Sequence, residues 1–158
     1  MGTVFISYSH KDKEWKDRLE PHFKALEIEG FYQSWDDTQI KPGSDWRMEI
    51  ETALNRAQVA VMLISADFLA SRFINEVEVP LILKRRREQG ITVVPVIVRP
   101  CPWKKIQWLS AIQIMPGGDD ALSQKQAHEI DRVLADVAQT VCDCLGNDKK
   151  TAVLPGDN

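Results

Sequence analysis

Few residues in this chain are placed to do chemistry, and most of them fall in turns that follow short apolar runs. Ser7-Tyr8-Ser9-His10 ends the first such run, and Ser65 ends a later one. Two carboxylates, Glu76 and Glu78, stand just before Pro80. Proline is best tolerated in the first turn of a helix, so the spacing predicts a helix that begins near Val77 with Glu78 in that turn. The positive end of a helix dipole favours an ionised carboxylate there. Residues two apart on a turn cannot both face one cleft, so only one of the two glutamates can serve a site. From the residues alone, the commoner reading of Glu78 is an ordinary acid at a helix N-terminus.

Other chemistries lose their support in the same loops. There is no G-x-x-x-x-G-K-[ST] and no G-x-G-x-x-G after the first strand, so nothing is built to cradle phosphates. There is no G-x-S-x-G elbow for a hydrolase nucleophile. A phosphoacceptor receiver domain would need a cluster of acids where Ser7-Tyr8-Ser9-His10 stands. His10, His22 and His128 show no ligand spacing. His22 reads as a helix-boundary residue; His10 can line a cleft, but a capping or surface role is the expectation. Cys101, Cys142 and Cys144 are too few and too uneven for a disulfide framework. Cys142 and Cys144, two apart on a helix, make a poor metal pair, so no metal site is expected.

The elements that must position these residues alternate. Thr3–Tyr8, Phe31–Trp35, Val59–Ile64 and Ile91–Val98 read as strands, and Ala111–Ile114 as a short fifth one. Pro95 cannot donate a ladder hydrogen bond, which predicts a bulge or an edge-like position. Trp15, Leu19, Phe23 and Leu26 recur at helical spacing, as do Trp46, Ile50, Ala53, Leu54 and Ala57. A further helix ends at Gly90, and Ala127 to Val141 gives the last. The predicted class is α/β, a flavodoxin-like open parallel five-stranded sheet with helices on both faces. Such sheets bind ligands outside the carboxyl ends of their strands.

At 158 residues, with 44% hydrophobic and 27% charged, the chain suits one globular domain. Residues 1–145 are expected to form it, and 146–158 to be a linker or a disordered tail. The net charge of −3 gives no electrostatic argument for nucleic acid or an anionic membrane. The basic run Lys84 to Arg87 lies late in a helix, where it complements the dipole. Sparse thiols fit a reducing cytosol, and a cytoplasmic location is expected.

Four segments together resemble the Toll/interleukin-1 receptor (TIR) domains, in their bacterial form. They are Val4-Phe5-Ile6-Ser7-Tyr8-Ser9, Trp35-Asp36-Asp37 with Ile40 to Trp46, Ser65 to Ser71, and Phe73 to Glu78 with Pro80. The resemblance implies one of two functions. Some members are NAD+ glycohydrolases that cut the nicotinamide–ribose bond, often when assembled in immune defence; others are adaptors that only bind other TIR domains. The presence of Glu78 favours the enzyme, with NAD+ as substrate and no cofactor. Its transition state is oxocarbenium-like. The nicotinamide leaves neutral and needs no proton, so one carboxylate suffices.

The family pattern selects Glu78 as that carboxylate, with Glu76 in reserve. Ser7, Tyr8, Trp35, Asp36, Trp46 and Ser65, at strand ends or flanking the BB loop, are expected substrate contacts by position, and the family's aromatic before the glutamate falls at Phe73. Many members carry Trp where this chain has Phe73. Ile40, Lys41, Pro42 and Gly43 fall in the family's BB loop, which also mediates contacts between neighbouring domains. Expected partners are NAD+, other TIR domains and further domains of a longer protein.

Overall fold

Val59–Ile64 is apolar at every position because it has neighbours on all sides: this strand, β3, is buried along its whole length. It pairs in parallel with β1, Gly2–Ser7, on one flank and with β4, Thr92–Ile97, on the other. β2, Tyr32–Trp35, pairs with the outer side of β1, giving the strand order β2-β1-β3-β4. The structure is a computed structural model and describes residues 2–118 and 120–145. The predicted tail at 146–158 lies outside the described residues.

Parallel pairing requires crossovers, and helices supply them. These are α1 (Lys13–Ile28), α2 (Trp46–Arg56), α3 (Ala66–Ala70) and α4 (Val79–Gln89), with α5 (Gln107–Ser110) and α6 (Ala127–Cys144) following β4. Side chains alternate across the sheet. Val4, Ile6, Val61 and Val96 pack with Leu19 and Phe23 of α1 and Leu134 and Val137 of α6. Phe5, Ala60, Met62 and Ile97 pack with Ile50 and Leu54 of α2 and Ile82 of α4. By the same alternation Ser7, two beyond Phe5, points to the face that carries α2 and α4. The chain reverses its direction of growth between β1 and β3, and the crevice outside their carboxyl ends is where such sheets take ligands.

Two expectations need correction. The sheet has four strands among the described residues, not five. Ala111–Ile114 turns instead of extending: Ile112 N–H bonds the Leu109 carbonyl at 3.1 Å, and Ile112 enters the α2–α4 core. Only Met115 bridges β4, opposite Val96, and Pro116 has no N–H with which to continue the ladder. Of the two alternatives that Pro95 predicts, the structure has the edge and not the bulge: Pro95 sits in register opposite Met62. Val98 N–H bonds Ile64 on β3 and Ile97 N–H bonds Met115 on the other side, so by alternation the Pro95 nitrogen faces the outer side. β4 is the edge-like position the proline predicts.

Second, the helix before Gly90 is preceded by helical residues that start earlier than Val77. Residues 72 and 73 are already helical, and Ile74–Glu78 forms a π-turn that runs into α4. Ser71 caps this start, its Oγ accepting from Ile74 N–H at 3.2 Å. Pro80 is the second residue of α4, in the first turn of the regular helix, where the widened turn hands over to it. Within the basic run, Arg85 donates to the carbonyls of Leu54 and Ala57, closing the C-terminus of α2, while Lys84, Arg86 and Arg87 are exposed.

Candidate active site

The site is built around one buried acid. Glu78 is 6% exposed and accepts a hydrogen bond of 2.5 Å from the Ser7 hydroxyl at the end of β1. The π-turn sets its position. Val79 N–H reaches back to the Ile74 carbonyl, and Pro80, with no N–H, cannot draw the next turn closed. Such turns occur mostly as single insertions inside helices, frequently at functional sites. Glu76 points the other way, exposed and paired with Arg72 at 3.4 Å.

The sequence places Glu78 under a helix dipole that keeps it ionised; the structure gives it a different environment. Burial pushes its carboxyl up to about 7 from the ordinary carboxylate range. The Ser7 hydroxyl opposes this by bonding the charged form, the charge of Asp37 adds to the rise, and His10 counters it. Glu78 thus changes protonation near neutral pH.

Glu78 forms part of the wall of an open cavity of about 540 Å³. Aromatic rings supply other parts of the wall. Trp46 at the start of α2 and Phe73 before the π-turn meet edge to face, with centroids 5.1 Å apart. Tyr8 lines the cavity from the end of β1, and Ile40 from the loop between β2 and α2. The Tyr8 phenol is held well above its usual range, by burial first and then by the charges of Asp37 and Asp36. Flat apolar walls beside one buried carboxylate suit a ligand with an aromatic ring and a positively charged or hydroxyl-bearing centre.

Of the residues the sequence selects, the structure brings Tyr8, Trp46, Phe73, Glu78 and Ile40 to this cavity, with Ser7 supporting Glu78 from the strand end. Three lie elsewhere. Trp35 stacks on Phe5 with centroids 5.3 Å apart, and borders a separate cavity of about 150 Å³ with Gln33 and Glu49. Asp36 caps the 3-10 turn Asp37–Gln39 through Thr38 N–H at 2.8 Å and lies 3.5 Å from the Lys16 ammonium. Ser65 caps α3 through Phe68 N–H and donates to Asp12, a fully buried carboxylate that also binds Arg99 at 2.8 Å. Lys41, Pro42 and Gly43 are exposed.

Among the lining residues outside that selection are Asp37 and His10; the His10 side chain is 78% exposed, as expected, and still borders the cavity, meeting Asp37 at 2.5 Å. The signal for both was their position at strand ends, in the turns after β1 and β2. Among the described residues no group of three or more His, Cys, Asp or Glu could hold a metal ion, and no helix is long and apolar enough to cross a membrane.

Comparison with known proteins gives the family and the fold. Residues 4–134 match the TIR domain family. An uncharacterised protein, y4lF, of Sinorhizobium fredii is 30% identical over 155 residues, covering 98% of this chain and 47% of that protein. The 2' cyclic ADP-D-ribose synthase BtTIR of Bacteroides thetaiotaomicron is 25% identical over 131 residues, covering 82% of this chain and 42% of the synthase. The chain thus spans about half the length of the curated relatives it matches.

Among solved structures, the TIR domain of a Toll-related receptor from Hydra magnipapillata superposes with a TM-score of 0.55 at 17% identity, covering 83% of this chain and 96% of that one. The TIR domains of the activated Roq1 resistosome give 0.55 at 22% identity, covering 98% and 78%. These two likenesses concern the fold. With the family match over most of its length and the four-stranded parallel sheet that carries the site, this chain belongs to the TIR domain family.

Proposed function

We propose that this chain cleaves the nicotinamide–ribose bond of NAD+, with Glu78 as the catalytic carboxylate. One observation carries the reading: a buried, Ser7-bonded carboxylate faces a cavity walled by Trp46 and Phe73. The reaction develops positive charge on the ribose as neutral nicotinamide departs, and a fixed carboxylate stabilises that charge. The free site holds Glu78 near 7, but the substrate's own pyridinium charge favours the ionised form on binding. Trp46 and Phe73 offer ring faces for nicotinamide. The Bacteroides relative, named a cyclic ADP-ribose synthase, supports the same bond as the target.

Activity would depend on assembly of several copies, with cytoplasmic defence or signalling as the setting. The loop carrying Ile40 to Gly43 borders the cavity and is also exposed, so a neighbouring copy that touched it would act on the site directly. A second reading, a non-catalytic TIR interaction module, draws on the exposed Trp46 and Met48 at the start of α2, which offer apolar surface to another protein.

Incubation with NAD+ and chromatography of the products separates the two. Nicotinamide release that rises more than linearly with protein concentration, is lost in Glu78→Ala and survives in Glu76→Ala supports the enzyme. Release that survives Glu78→Ala removes the assignment. No release at any concentration, from a chain that self-associates, supports the interaction module. Full activity from a strictly monomeric preparation would count against control by assembly.

A further inference from the structure

A second carboxylate lines the cavity that the proposed bond cleavage does not use. Asp37 lies in the loop after β2, and its Oδ2 meets His10 Nε2, from the turn after β1, at 2.5 Å. The pair joins two loops that both border the cavity. It holds whether His10 is neutral and donates its Nε2–H or is protonated, so it fixes the direction of the Asp37 carboxylate in either state.

The other oxygen, Asp37 Oδ1, is shielded from solvent and has no donor within hydrogen-bonding distance among the described residues, although the Tyr8 hydroxyl lies near enough to the Asp37 carboxylate for its pKa to be raised by it. An ordinary surface ion pair leaves both carboxylate oxygens in water; this one does not. A shielded acceptor without a donor is costly, and a carboxylate can only accept. A ligand O–H or N–H that entered the site would satisfy it, sharing the carboxylate with the neighbouring Tyr8 hydroxyl. The cavity of about 540 Å³ is large enough for a nucleotide-sized ligand, and it holds Glu78 as well. A ribose carries adjacent hydroxyls that suit two carboxylates lining one cavity.

We infer that Asp37 is a substrate-binding residue that accepts a hydroxyl of a ribosyl nucleotide, and that His10 is the positioning residue that holds its carboxylate in place. This inference rests on the proposed NAD+-cleaving function. It adds a second anchor for the sugar that does not depend on the nicotinamide ring.

ADP-ribose is the suitable probe, because it keeps the ribosyl nucleotide and lacks the bond to be cut. Its binding to the full chain is measured by calorimetry for wild type, Asp37→Asn, His10→Gln and the double variant, with thermal unfolding as the control for folding. Asp37→Asn is expected to weaken binding about tenfold and His10→Gln about threefold. The double variant should be no weaker than Asp37→Asn alone, since His10 acts through Asp37. In a separate arm, His10→Gln should raise the KM for NAD+ with kcat within twofold.

Wild-type affinity in Asp37→Asn, fully multiplicative losses in the double variant, or no binding of ADP-ribose to wild type would each overturn the inference. If Asp37→Asn does not fold, His10→Gln still decides through its affinity and its KM. The two readings fail separately. Asp37-dependent binding without nicotinamide release overturns the cleavage alone, and release with Asp37-independent binding overturns the anchor alone.

Discussion

The Ser7 hydroxyl donates to Glu78 Oε1 across 2.5 Å, linking the end of β1 to a helix 71 residues further along the chain. Burial drives Glu78 towards its neutral form, and this hydrogen bond is the strongest influence that opposes it. The chemistry proposed here needs the ionised carboxylate. Ser7→Ala should therefore raise the Glu78 pKa above about 7 and move the acid limb of kcat/KM for NAD+ to higher pH. The rate at pH 7 is expected to fall roughly fivefold and to recover near pH ~8.5. A pH–rate profile checks this, and an unchanged acid limb would separate Ser7 from Glu78.

Asp37 and His10 act on Glu78 with opposite signs. The charge of Asp37 raises its pKa and His10 lowers it. Asp37→Asn should therefore shift the acid limb to lower pH, and His10→Gln to higher pH. Both shifts will be smaller than that of Ser7→Ala. Shifts in the same direction would show that the variants disturb the site as a whole.

Stability should carry the same signature. The folded chain holds a proton on Glu78 up to about 7, whereas the unfolded chain releases it in the ordinary carboxylate range. Between those values the folded state binds more protons, so this group's contribution falls as pH rises from about 4.3 to about 7. Glu78→Gln removes the charge and with it the decline. Relative to wild type, the variant is expected to gain on the order of 2 kcal/mol between pH ~5 and pH ~8. Urea unfolding of both proteins at the two pH values measures this.

The two tryptophans that flank the β2–α2 loop should behave differently. Trp46 is 48% exposed and meets Phe73 at the cavity, whereas Trp35 stacks on Phe5 beside the core. Trp46→Ala should raise the KM for NAD+ about tenfold while costing less than about 1 kcal/mol of stability. Trp35→Ala should leave KM within twofold and cost roughly 2–3 kcal/mol. Kinetics and denaturant unfolding on the same pair of variants test both halves.

Much of the architecture was legible because it is local. β3 came out with the observed ends, Val59 and Ile64, since a fully buried parallel strand is written as an unbroken apolar run. Gly90 marked the end of α4, where it adopts φ 71°. Pro95 predicted a bulge or an edge-like position, and β4 is at the edge without a bulge. The fifth strand was misread because four apolar-rich residues before a turn look alike whether they extend or fold back. Only the packing of Ile112 into the α2–α4 core distinguishes them. Pro80 does occupy the first turn of the regular helix, but nothing in the spacing shows the π-turn that precedes it.

For the candidate site, sequence alone put forward Ser7 and Tyr8 at the end of β1 and one glutamate of the pair before Pro80. It could not determine which of those groups meet. That Glu78 is buried and Glu76 is not depends on how the π-turn seats the helix against the sheet. Trp35, Asp36 and Ser65 looked like site residues by position, yet Phe5, Lys16 and Asp12 engage them from other elements. His10 and Asp37 became a pair only because β1 and β2 lie side by side with their carboxyl ends at one edge. Sequence spacing sets the direction of a side chain within its own element; whether a carboxylate is dry, paired or open to a ligand depends on distant elements, and only the tertiary structure brings these together.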